Sequence, residues 1–277
     1  MEIKGWMYYN HAMLPTCAPH EKPNLEPVLD GSFWRRGGKA LLARWTTEFD
    51  CGHATEWWYV IKDTPFDSSA LKAKRRYEIT KGNRNFEVRV INPVEYEEEI
   101  CQVYKAALAD YPAKYRPMFD EEEFRTAIRK EWADKLIYGG IAKDSEKLCG
   151  YALLTVHRNY AAFNVLKTIP SCEKYGINAA LVYGILNDFN TKLKDAYYIC
   201  DGERNISHET QFQNYLEKYF GFRKAYCILN ISYRPIVAVI VKILYPFRAQ
   251  LEKADKNSLV HNVIAVLHME ELRRKQS

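Results

Sequence analysis

The sequence predicts an α/β fold, and three observations carry that prediction. Short runs of β-branched and aromatic residues recur between Leu136 and Tyr233: LIYGGIA, LCGYALLTV, YAAFNVL, AYYIC and KAYCILNISY. Between them lie stretches of helical period, INAALVYGILNDF and QFQNYLEKYF. A glycine-bearing loop, Glu173 to Asn178, joins the third run to the first of these helices. The order is strand, strand, strand, loop, helix, strand, helix, strand, in about 100 residues, a normal domain size.

Composition sets the bounds. The chain has 277 residues, of which 47% are hydrophobic, enough for a substantial core and for one or two domains. No apolar stretch reaches the length of about 18 residues that spans a bilayer, and the first residues lack a charged-then-apolar leader pattern. Seven cysteines, odd in number and without a Cys-x-x-Cys pair, read as reduced thiols of a cytoplasmic protein. Cys17 with His20 and Cys51 with His53 lack further partners at zinc spacing, so no metal is expected. A net charge of +5 is too mild to argue for nucleic acid by itself.

Along the chain, residues 1–70 are dense in tryptophan and tyrosine (Trp6, Tyr8, Tyr9, Trp34, Trp45, Trp57, Trp58, Tyr59) and read as core aromatics rather than a stacking surface. KALLARWTTEF and EWWYVIKD are strand candidates. Lys72, Lys74, Arg75, Arg76, Lys81 and Arg84 then concentrate positive charge, which suits either a solvated helix face or a phosphate-bearing partner. Gly82-Asn83 reads as a turn and FEVRVI as a strand. From Pro93 the period turns helical, with Glu95 and Glu97–Glu99 loading the positive end of the helix dipole. A second helix carries Phe124, Ile128 and Trp132 at spacing four. Near the end, IVAVIVKILYPF (236–247) is apolar but for one lysine. It reads as a helix docked on the domain or lying in a membrane interface.

Residues 70–233 resemble the GNAT N-acetyltransferase superfamily, and within it the FemAB-like branch. The resemblance rests on three segments: LKAKRRYEITKGNRNFEVRVI, TIPSCEKYGINAALVYGIL and FQNYLEKYFGFRKAY. It implies a GNAT-like mixed, mostly antiparallel sheet flanked by helices, with an aromatic-rich N-terminal extension. The implied division is a partial first region over 1–83, an acyltransferase domain over 84–233 and a helical tail over 234–277. It also implies an acyl-CoA-dependent N- or O-acyltransferase acting on a small or cell-envelope-precursor (amino)sugar-like acceptor. The cofactor would be acetyl-CoA or another acyl-CoA, its pyrophosphate on the helix N-terminus, where unpaired N–H groups and the dipole favour anions. Leu166, Lys167, Lys174, Tyr175, Gly176, Ile177, Asn178 and Asn214 are the cofactor-binding candidates. Glu173 stands where the family has Gln or Arg, and Asn178 where it has Gly or Ala. Asp201, Glu203 and His208 are candidate bases and Tyr219, with Tyr215, a candidate acid, since acyl transfer to an amine needs both roles. The rival readings are a FemAB-like transferase using aminoacyl-tRNA, motivated by the basic segment, and a non-catalytic GNAT-derived scaffold touching a membrane through 236–247.

Overall fold

Strand runs and helical stretches alternate much as the sequence predicts in the computed structural model, which describes residues 3–35, 38–111, 116, 118–204, 211–253 and 258–276. In chain order the elements are β1 (Trp6–Tyr9), β2 (Ala12–Pro15), α1 (Glu26–Leu29), α2 (Ser32–Arg35), β3 (Leu42–Thr47), β4 (Trp57–Lys62), α3 (Ala73–Asn85), β5 (Phe86–Val90), α4 (Glu97–Ala109), α5 (Glu121–Glu131), β6 (Leu136–Ala142), β7 (Leu148–Val156), β8 (Tyr160–Thr168), α6 (Pro170–Glu173), α7 (Ile177–Phe189), β9 (Tyr198–Glu203), α8 (Gln211–Phe220), β10 (Arg223–Tyr233), α9 (Pro235–Leu244), α10 (Arg248–Lys253) and α11 (Ser258–Lys275).

The chain forms two units. One comprises residues 1–59, 203–210 and 224–277; the other comprises 60–202 and 211–223. The division differs from the expected boundaries at 83/84 and 233/234. Two pairings explain the difference. Helix α3 packs on α7 and so belongs to the second unit, and β10 runs antiparallel to β3 from Ile228↔Thr47 to Tyr233↔Leu42, which ties the last strand to the N-terminal residues.

In the first unit, β1 and β2 form an antiparallel hairpin and β2 adds parallel to β3. Trp6, Phe33, Met13 and Ala43 are buried together, with the Trp6 and Phe33 rings edge-to-face at 4.9 Å. Trp57 is fully buried. Tyr8 and Tyr9, in contrast, are exposed, so only part of the aromatic set is core.

The second unit is a mixed, mostly antiparallel sheet flanked by helices. Strands β5, β6, β7 and β8 pair antiparallel in sequence order, and β9 joins β8 in parallel. The period-four stripe of α4 places Ile100 and Val103 against the sheet with Ile128 of α5, Ile137, Ile141 and Tyr151, all buried. Asp120 caps α5 by accepting from the Glu123 N–H at 3.0 Å, an N-terminal bond of the ordinary capping kind. Arg125 of α5 reaches back to Glu97 (3.0 Å) and Glu98 (2.5 Å) of α4 and to Glu121 (2.8 Å), which fixes the two helices to each other. The Gly82-Asn83 turn is not formed: both residues lie inside α3, which runs on to Asn85.

Candidate functional site

Two features of the second unit bear on chemistry, and the first is where β8 leaves β9. The parallel ladder holds for three pairs only, Tyr160↔Tyr198, Ala161↔Ile199 and Ala162↔Cys200. Past Ala162, β8 stays on β7 as far as Thr168↔Gly150, and β9 departs. A bulge marks the parting. Leu153 pairs Val165 and Leu154 pairs Phe163, so Asn164 is skipped in the ladder. A bulged residue bends its strand and leaves its own peptide unpaired with the neighbour. The Asn164 side chain is held to the Thr155 hydroxyl at 2.8 Å.

Asp201 is the next residue of β9 after the last paired one, so the acid stands at the mouth of the opening. It belongs to the strand itself, which extends to Glu203, rather than to the loop predicted after it. The residue as a whole is half-buried, but protein surrounds its carboxyl closely enough that desolvation raises the pKa from 3.8 to about 7, against a smaller lowering from a hydrogen bond with Gln213 of α8. A carboxylate that titrates near neutrality can both take and return a proton.

The second feature is the loop before α7. Gly176 adopts φ +90°, the left-handed region that favours glycine, and caps α7. Its open side is closed by α3. A Cβ on Gly176 would meet Gly82 Cα and N at 3.0 Å and the Glu78 carbonyl oxygen at 3.1 Å; one on Gly82 would meet the Gly176 carbonyl oxygen at 2.5 Å. Asn85 adds a hydrogen bond to the Tyr175 carbonyl at 3.1 Å. The close approach explains Gly82: any side chain there would push α3 off the loop. The Thr168 hydroxyl lies 3.2 Å from Asn178 Oδ1 and 3.4 Å from Glu173 Oε1, so the family-departing residues Glu173 and Asn178 are tied to the end of β8.

These neighbours do not fit a pyrophosphate held on the loop. Helix α3 fills the space beside Gly176, and Glu173 brings a carboxylate close to the start of α7, which disfavours a second anion there. The remaining cofactor candidates agree. Lys167 donates to the Tyr111 hydroxyl at 2.9 Å and sits 5.0 Å over that ring. Lys174 lies 5.0 Å over the Tyr175 ring. Ile177 is buried, Leu166 pairs with Ala152 of β7, and Asn214 is exposed on α8. These contacts bear on the acyl-CoA expectation without a cofactor being placed on the loop.

The other catalytic candidates part company. Glu203 belongs to the first unit, where it accepts from the Tyr59 hydroxyl at 3.0 Å and pairs with Arg44 at 3.0 Å. His208 lies outside the described residues. Tyr219 lines a recess with Leu71, Arg75, Glu78 and Tyr215, and the Arg75 guanidinium lies 3.4 Å over its ring. Burial and the nearby Glu78 carboxylate hold the Tyr215 hydroxyl firmly protonated. Of the proposed bases among the described residues, Asp201 is the one next to the last β8–β9 pair. Asn164 was missed because a bulge is a register event between two strands, and no single residue announces it.

Solved structures share this fold. The C-terminal (DUF2156) domain of an Agrobacterium fabrum protein designated a lysylphosphatidylglycerol synthetase matches with a TM-score of 0.51 at 14% identity, over 86% of this chain and 82% of that one. L-PGS from Bacillus licheniformis matches with a TM-score of 0.51 at 14% identity, over 95% of this chain and 84% of that one. A tandem GNAT protein of clavulanic acid biosynthesis matches with a TM-score of 0.44 at 11% identity, over 80% of this chain and 75% of that one. No known family's sequence profile and no curated protein matches the chain.

Proposed function

We propose that the chain is an acyltransferase whose donor is an aminoacyl ester carried by tRNA. The observation that carries this reading is α3. The same helix that closes the phosphate loop at Gly176 presents Lys72, Lys74, Arg76 and Arg84 to solvent. A donor lacking a pyrophosphate on that loop, but attached to a polyanion, answers both facts. The name of the Agrobacterium domain, which joins a lysyl group to phosphatidylglycerol, agrees with an aminoacyl cargo.

The chemistry follows from the strand opening. The aminoacyl group lies between the diverging strands β8 and β9, with its ester carbonyl near Asn164. Asp201 removes a proton from the acceptor's amine or hydroxyl as that atom attacks the ester carbon. The peptide N–H of Asn164, the residue skipped in the ladder, donates to the negative charge that develops on the carbonyl oxygen. The C–O bond to the ribose breaks, and the proton held by Asp201 goes to the leaving oxygen. Acceptors of the cell-envelope class, small aminosugars among them, suit this step because they carry the required amine or hydroxyl.

Melting curves with acetyl-CoA, CoA and longer acyl-CoAs, beside binding of bulk tRNA at low salt, test the donor. The reading expects no shift with any CoA compound and tRNA binding that weakens as salt is raised. A rise in Tm with an acyl-CoA, or no tRNA binding at low salt, would return the donor to the thioester class.

A further inference from the structure

The apolar run 236–247 forms α9 and the turn after it, in the first unit. Ile236, Val239, Ile240, Ile243 and Phe247 are all exposed, by 46 to 67%. Spacings of three and four set them on one side of the helix, and Val241, on the other side, is buried. Helix α9 therefore docks through one face, packing on α11, and leaves a second apolar face uncovered. Among the described residues no helix is long and apolar enough to cross a membrane.

The face continues beyond the helix. The Arg234 N–H, at the helix entry, donates to the Leu41 carbonyl at 2.9 Å, and the Leu41 N–H donates to the His11 carbonyl at 2.7 Å. His11 stands at the tip of the β1–β2 hairpin, beside exposed Tyr8 and Tyr9, and Leu41 itself is exposed. Backbone hydrogen bonds thus link the entry of α9, through exposed Leu41, to the hairpin tip that carries exposed Tyr8 and Tyr9. Tyrosine, with an apolar ring and a polar tip, is a residue of membrane–water boundaries.

Charge decides what covers the edge. The chain from Lys224 to Leu251 contains no Asp or Glu, while it carries Lys224, Arg234, Lys242 and Arg248. The segments Ile3–His20 and Gly38–Thr47, which supply the hairpin and Leu41, are acid-free as well and carry Lys4, Lys39 and Arg44. Lys242 is exposed and flanks the stripe. Arg44 and Arg248 are paired with Glu203 and Glu271, which leaves the apolar band flanked by exposed Lys242 and by Arg234 in an acid-free stretch of chain, a pattern that complements an anionic lipid bilayer. We propose that this edge, α9 with the β1–β2 tip, seats the protein on the surface of an anionic membrane, with α9 lying in the headgroup layer.

The test is co-sedimentation of the full chain with vesicles of phosphatidylcholine alone, and with vesicles in which about a third of the lipid is phosphatidylglycerol or phosphatidylserine. Binding is expected to both anionic mixtures alike and to be at least about tenfold weaker on phosphatidylcholine. Ile236→Asp with Ile243→Asp should reduce it at least about tenfold. Lys242→Glu should reduce it by about fivefold or more, because the change reverses a surface charge that each basic residue supplies. Both variants alter exposed positions, and unchanged melting curves would show that they fold. No binding to anionic vesicles overturns the proposal. So does a dimer of the wild-type chain, seen by light scattering, that Ile236→Asp with Ile243→Asp dissolves, for the face then belongs to a second copy. Neither result would touch Asp201 or the donor reading.

Discussion

Replacing Asp201 with asparagine keeps the side chain's size and its bond to Gln213 while removing the titrating group. Two consequences follow, with opposite signs. In catalysis, the general base is lost, and positioned bases contribute about 10² to 10⁴ in rate. The wild-type rate should rise with pH through about 7, where Asp201 becomes charged, and level off above it. The variant should be slower by at least about a hundredfold and lose that inflection. In stability the variant gains. The folded carboxyl titrates at about 7 against 3.8 when solvated, so between these values the folded chain holds a proton that the unfolded chain has released. Wild-type stability therefore falls as pH rises from about 4 to 7 and stays at its lower level above that range. The shift corresponds to at most about 4 kcal/mol, and the partial exposure of Asp201 brings the figure below that limit. Urea titrations of both proteins at pH 5 and pH 8 measure it. The gap in favour of the variant should be larger at pH 8. An equal gap at both pH values, or a variant with undiminished rate, would refute the reasoning.

Three further outcomes test the helix packing and the donor reading. Gly176→Ala should destabilise the chain by about 1–2 kcal/mol from its left-handed backbone alone, and by more through contact with α3 at 3.0 Å; urea unfolding measures it, and no loss would show that α3 does not rest on the loop. Asn190 both accepts from the Phe66 N–H at 2.7 Å and donates to the Phe66 carbonyl at 2.9 Å. Asn190→Ala leaves that backbone unpartnered and should cost about 1–3 kcal/mol, read as an earlier urea midpoint. Lys74→Ala with Arg76→Ala should weaken tRNA binding and lower the slope of log affinity against log salt by about 0.7 to 0.9 for each charge that meets a phosphate; an unchanged slope would place the RNA elsewhere.

Most of the second unit was legible in the sequence because its signals are local. The alternation in Phe86–Val90, the stripe of α4 and the apolar run before Asp201 each determine an element without reference to its neighbours. Gly82 was read as a turn for the same reason: glycine beside asparagine is a turn signal locally, and only the packing of α3 on Gly176 shows that the residue serves close helix approach instead. The same packing bears on the phosphate reading. A helix N-terminus with a glycine is a ready anion site only if nothing else occupies it, and occupancy is a tertiary fact. Glu173 and Asn178 were the local warnings, the first a carboxylate where a phosphate-binding loop would avoid one. Asp201 was read as a loop residue after the strand, whereas it lies within β9, since a polar residue at the end of a buried run looks like an ending. The expected boundaries differ from the two contact units because β10 pairs with β3, some 180 residues away, and no local pattern encodes that partner.

The most direct measurement is transfer of label from a pool of tRNA charged with radioactive amino acids to a mixed set of amine and hydroxyl acceptors, beside the same assay with labelled acetyl-CoA. The account expects transfer from the charged tRNA, lost in Asp201→Asn, and none from acetyl-CoA. Transfer from acetyl-CoA that Gly176→Asp abolishes would contradict it, and would put the thioester back on the loop that α3 covers.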